Sequence, residues 1–195
     1  MAIDIDRMIR RLEFYVRFRQ LGIAEVMVKE FRNEASTNPF KESGYAILSV
    51  VMAYFEMFEQ FDRGQSSHGQ SREFFRCGFR KVYSSTSLTD EQINTIYSWV
   101  RCGMYHTSLT AGFSPLSRNY PVGFDVEGGE IRINPGKVVQ DLFTHFDAWV
   151  AVLKKPACTG NRFCFEKAAR MIGMDRPEAP LETPGTSTQA PWEPG

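Results

Sequence analysis

Apolar and polar positions recur at a helical period along most of this chain. Over residues 3–35, Ile9, Leu12, Tyr15, Val16 and Phe18 supply an apolar face. Val26, Val28 and Phe31 continue it in a second segment, after an interruption near Leu21-Gly22. Asn38-Pro39 breaks the chain before GYAILSVVMAYFEMFEQF, residues 44–61, which is apolar almost all round. That pattern predicts a helix surrounded by others at the centre of a bundle. Its narrow polar stripe is Ser49, Glu56 and Gln60, with Glu59 at the edge.

A polar Gly/Ser stretch, residues 62–71, leads into REFFRCGFRKVY, residues 72–83, which reads as an amphipathic helix weakened by Gly78. Phe74, Phe75 and Phe79 on it are core candidates. Thr89 with Gln92 three residues later forms a capping-box pattern, and Asp90 and Glu91 suit the positive end of a helix dipole. Ile93, Ile96, Tyr97 and Val100 then recur at helical spacing. Near residue 121 the period changes: VGFDV and EIRIN alternate about a Gly-Gly turn, which predicts a short β-hairpin over about 121–134. Asn134-Pro135 reads as the cap and first residue of a helix over 135–154, burying Val138, Val139, Leu142, Phe143, Phe146 and Val150. A shorter helix near 161–173 ends at Gly173. From Asp175 onward five of the ten prolines crowd among Gly, Ser and Thr, which predicts a disordered tail. The expected architecture is mainly α: an up-and-down bundle over residues 1–174, a hairpin insertion, and a tail over 175–195.

Composition narrows the function classes. No apolar run approaches the roughly 20 residues of a membrane span, and the N-terminus lacks the apolar core of a signal peptide. A cytoplasmic protein without membrane association is expected. Cys77, Cys102, Cys158 and Cys164 are scattered without C-x-x-C pairs, so buried free thiols are expected rather than zinc ligands. No P-loop, dinucleotide fingerprint or metal motif is present, and no cofactor is expected. Formal net charge is zero, so any nucleic-acid contact must use a local patch.

One segment carries pointed chemistry: Tyr97-Ser-Trp-Val-Arg-Cys-Gly-Met-Tyr-His106 holds an Arg and a His five residues apart. Arg presents a fixed fork of donors that matches phosphate oxygens. His exchanges a proton near neutral pH. At 3.6 residues per turn, five residues rotate by about 140°, so Arg101 and His106 do not share one face of a straight α-helix. They converge only across a groove, at a helix end, or against a second copy of the same helix, and Gly103 permits close approach there. An Arg paired to a carboxylate and a His bound to a carbonyl are also common as purely structural features. Glu56, on a helix made for burial, is the expected partner of Arg101. Arg72, Arg76 and Arg80, with Lys81 beside them, form a basic stripe that either tracks an RNA backbone or is balanced by nearby acids. His68 reads as exposed, and His145 as a structural His.

The order of elements and the string VRCGMYH resemble the HEPN superfamily, helical bundles with an Arg-x(4–6)-His motif. The resemblance spans roughly residues 5–155, with the hairpin as an insertion. It implies a metal-independent endoribonuclease acting as a homodimer through the Arg101–His106 helix. Arg101 and His106 are then catalytic, and Glu56, Cys102 and Tyr105 support them. His106 acts as general base on the ribose 2′-hydroxyl and Arg101 stabilises the phosphate charge. RNA is the implied substrate, in stress response or defence, with an antitoxin or regulatory protein as a further partner. Cys102 stands where many active members have Asn, Asp or His. Ser108 replaces the Tyr that several toxin members carry two residues after the His, which argues against control by adenylylation. The alternative is an inactive HEPN-like module binding a protein or nucleotide.

Overall fold

The structure, a computed structural model, describes residues 4–33, 35, 37–38, 42–103 and 116–176, with the backbone alone for 101–103. Among the described residues it is mainly helical with a two-stranded antiparallel hairpin, as the periodicity predicts. Among the described residues, no helix is long and apolar enough to cross a membrane.

Helix α1 (Ile5–Val16) starts at Asp4, whose carboxylate accepts from the Arg7 amide, and it turns Met8, Ile9, Leu12 and Val16 inward. The chain does not break at Leu21-Gly22. It winds through a π-helical turn (Arg17–Leu21) directly into α2 (Gly22–Arg32). The extra residue sets Leu21 five positions after Val16, and both are buried. Straight α-helical winding would bring Gln20 to the core instead. A Cβ on Gly22 would lie 2.6 Å from the Arg17 carbonyl oxygen, so glycine admits the turn. Three residues expected on the buried face lie outside it: Tyr15 is 38% exposed, Phe18 62% and Val26 62%. The core accepts a narrower stripe than the helix's apolar surface offers.

The central apolar segment forms α3 (Gly44–Val51) and α4 (Ala53–Arg63), nearly continuous through Met52. Gly64, with φ +64°, ends it in the left-handed conformation. Helix α5 (Ser71–Val82) packs back along α4, with Phe74, Phe75 and Phe79 buried as expected. Helix α6 (Asp90–Ile96) continues into a second π-helical stretch (Tyr97–Gly103).

Strands β1 (Phe124–Glu127) and β2 (Glu130–Ile133) pair in the register Phe124↔Ile133, around Gly128 and Gly129 at φ +61° and +86°. Those positive angles are what a two-residue hairpin turn requires. Phe124 docks the hairpin onto α5, its ring 4.9 Å from Phe79 and 5.3 Å from Tyr83. Asn134 then caps α7 (Pro135–Leu153), its carbonyl oxygen accepting from the Gly136 and Lys137 amides. Its amide donates to the carbonyls of Arg118 and Tyr120, so the buried Asn134 ties three segments together. Helix α7 contacts α2, α3 and α5 and buries Trp149 and Leu153 with the expected set, except that Phe143 is only partly covered. Helix α8 (Thr159–Met171) closes against α4, and Gly173 at φ +77° ends it. The tail from residue 177 lies outside the described residues.

Candidate functional site

The motif helix is anchored at its start. Thr89 Oγ1 accepts from the Gln92 amide at 3.2 Å, and Gln92 Oε1 accepts from the Thr89 amide at 2.8 Å, the reciprocal capping box expected from the sequence. Ile93, Ile96 and Val100 are buried, which fixes the rotation of the helix up to the residue before Arg101. From Tyr97 to Gly103 the winding is π-helical, and this stretch packs on α3 and α5. The side chains of Arg101 and Cys102, and all of Tyr105, His106 and Ser108, lie outside the described residues. The expected ion pair between Arg101 and Glu56 lies outside them too.

The basic stripe of α5 runs beside this motif helix. The Arg72 guanidinium lies 5.8 Å above the Tyr97 ring, and Tyr97 sits four residues before Arg101. Arg80 donates to Asp90 at 2.9 Å, and Arg76 reaches the same carboxylate at 3.7 Å. Two guanidinium groups therefore share one aspartate at the start of α6. Lys81 turns away toward α4, donating to Asp62 at 2.5 Å and pairing with Glu59 at 2.7 Å. Burial works to lower the Lys81 pKa, and its hydrogen bonds to Asp62 and Glu59 outweigh it, so the net displacement is upward.

The carboxylates of α4 exchange the roles expected of them. Glu56 is only partly buried and accepts from the Ser67 hydroxyl at 2.6 Å. Glu59, expected at the edge, is fully buried. It accepts from Arg63 Nε at 2.5 Å and meets Lys81 from the neighbouring helix. The i, i+4 spacing of Glu59 and Arg63 is the sequence signal that marks this pair.

His68 is exposed in the loop before α5. His145 Nδ1 lies 2.8 Å from the hydroxyl of the buried Tyr54, and its ring packs edge-on against Phe58 at 4.5 Å. Burial holds the His145 pKa below its ordinary value, against the charge of Asp62, so the ring is neutral near pH 7. Burial, with Asp147 adding to it, drives the Tyr54 pKa far up, so the phenol keeps its proton as a donor. On that basis Nδ1 accepts and Nε2 carries the ring proton. The Tyr54 hydroxyl and His145 Nδ1 satisfy each other, the arrangement of a structural His.

A cavity of about 650 Å³ opens between α7, the hairpin and the α5–α6 connection, with Tyr83, Lys137, Asp141 and His145 on its wall. The Tyr83 hydroxyl donates to Asp141 at 3.1 Å. Burial raises the Asp141 pKa, and the Tyr83 hydrogen bond and the Lys137 charge oppose it. Periodicity on α7 puts Lys137, Asp141 and His145 on one face, but only the docking of the hairpin encloses them. Among the described residues, no three His, Cys, Asp or Glu side chains gather to hold a metal ion. Cys77, Cys158 and Cys164 are free thiols and only partly buried.

Compared with protein-family profiles, with curated proteins and with solved structures, the chain matches none.

Proposed function

We propose that this protein is a metal-independent endoribonuclease of the HEPN type, acting on RNA in the cytoplasm as a homodimer. The winding at Arg101 carries the reading. An α-helical step of five residues turns by about 140°. Hydrogen bonding from i to i+5 instead makes five residues roughly one turn, and π-helical turns are frequent at functional sites. The stretch that carries Arg101 is wound this way as far as Gly103. Arg72 adds a cation above Tyr97, one turn before Arg101.

In this reaction His106 takes the proton of the ribose 2′-hydroxyl, and O2′ attacks the adjacent phosphorus. Arg101 stabilises the charge that builds on the phosphate oxygens. The P–O5′ bond breaks and O5′ takes up a proton, leaving a 2′,3′-cyclic phosphate and a 5′-hydroxyl. DNA, without the 2′-hydroxyl, is spared.

The test is incubation with mixed RNA in the presence of chelator, beside Arg101→Ala/His106→Ala. Cleavage by the wild type alone, leaving cyclic phosphate ends, is the expected result. Equal cleavage by both proteins would trace the activity to a contaminant and remove the assignment.

A further inference from the structure

The outer face of α1 and of the π-helical turn after it alternates cations and rings. Arg7, Arg10 and Phe14 follow one another at steps of three and four residues along one side of α1, and Phe18, on the π-helical turn that follows, continues the row beside Phe14. Phe14 is 47% exposed and Phe18 62%, with ring centroids 5.7 Å apart. The Arg19 guanidinium spans Phe14 and Tyr15, 5.4 and 5.2 Å from their centroids. Burying these rings would stabilise the fold, yet the bundle leaves them in water.

Among the described residues, the cations beside them are held in no ion pair. Of the nearby carboxylates, Asp4 caps the helix by accepting from the Arg7 amide, Asp6 pairs with Arg162 at 2.7 Å, and Glu13 pairs with Lys154 at 2.7 Å and with Arg17 at 3.6 Å. Arg17 also binds Asp147 at 2.6 Å. Arg7, Arg10 and Arg19 are exposed and form no ion pair among the described residues. The stripe on α5 differs, because Arg76 and Arg80 share Asp90 and Lys81 holds two carboxylates. A chain whose net charge is zero thus gathers, on α1 and the turn after it, exposed rings beside cations that form no ion pair among the described residues.

We propose that this face of α1 and the π-helical turn after it binds single-stranded RNA, bases stacking on Phe14 and Phe18 and phosphates pairing with Arg7, Arg10 and Arg19. Base stacking on aromatic side chains with a basic groove for the backbone is the general chemistry of single-strand recognition. A two-fold contact of this face with a second copy would set the same unpaired arginines against each other, which disfavours self-association there. The inference takes RNA as ligand from the proposed nuclease function. It assigns the holding of the strand to α1 and the turn after it, apart from the motif helix.

The test uses the full chain carrying Arg101→Ala/His106→Ala, so that bound RNA stays intact, and a fluorescein-labelled dodecauridylate read by anisotropy. Phe14→Ala and Phe18→Ala remove exposed rings, and each is expected to weaken binding at least about fivefold. Arg7→Gln/Arg10→Gln is expected to reduce the slope of log affinity against log salt by about 1.4, two phosphate contacts on a single strand. Duplex RNA, whose bases are not free to stack, is expected to bind more weakly than the single strand.

Absence of binding, equal binding to the duplex, or ring variants that bind unchanged would overturn the inference. So would ring variants that alter only the sedimentation behaviour, since that points to a protein–protein face. Cleavage by the active chain with ring-independent binding would remove this inference and leave the nuclease reading. Ring-dependent binding without cleavage would do the reverse.

Discussion

Gly78 lies so close to Phe55 that a Cβ on it would stand 2.0 Å from the Phe55 carbonyl oxygen. Backbone meets backbone there, and α4 and α5 hold the ring cluster of Phe55, Phe75 and Phe79 through that contact. Gly78→Ala must push the helices apart, at about 3 kcal/mol or more. For a chain of this size that lowers the melting temperature by roughly 6–12 °C. Gly160→Ala, on α8 with nothing within 4 Å of the added carbon, is the matched control and should be neutral or stabilising. Equal melting temperatures for the two variants would refute the close-approach account.

Asn134 caps α7 with its oxygen and ties down two loop carbonyls with its nitrogen. Asn134→Asp keeps the capping acceptor and loses both donors, while Asn134→Ala loses everything. Loss of the cap alone costs about 1 kcal/mol, and buried groups left unpaired cost about 1–3 kcal/mol more. Chemical denaturation should rank wild type above Asp, and Asp above Ala. If Asp matches the wild type, the two donated bonds contribute nothing.

Glu59→Gln retains shape and removes the charge that Arg63 and Lys81 share. Breaking a buried pair costs about 3–5 kcal/mol. Here the cations are 30% and 41% exposed and stay hydrated, so a loss near 2 kcal/mol is expected. The urea midpoint should fall with an unchanged slope. The same substitution at the partly exposed Glu56 should move it less.

His145 predicts a pH dependence. Burial lowers its pKa in the folded chain, so the unfolded chain takes up the proton first as pH falls. This group's contribution to stability is complete above about pH 6.5 and is lost as pH falls from there through the folded pKa. Relative to His145→Gln, the wild type should hold a constant stability difference above pH 7 and lose ground below pH 6.5. A difference that does not vary between pH 5.5 and 7.5 would contradict the buried neutral ring.

Local chemistry was legible in the chain itself. The Thr89/Gln92 box, the Asn134-Pro135 start and the Gly128-Gly129 turn act between near neighbours, where residue type settles backbone geometry without help from the rest of the fold. Helical and strand periods were legible for the same reason. The Arg101–His106 spacing is likewise a property of sequence.

Tertiary structure decided which apolar faces find a partner. Period alone marks Tyr15, Phe18 and Val26 as part of a buried stripe, because it measures how an element is patterned and not how wide its neighbour is. It marks Gly78 as a weakness, because the close approach that requires glycine comes from another helix. It places Glu59 at an edge, because the cation that completes its burial, Lys81, belongs to α5. The π-helical turns follow the same rule: one extra residue keeps Val16 and Leu21 on one core, and the core's position is set by every other helix at once.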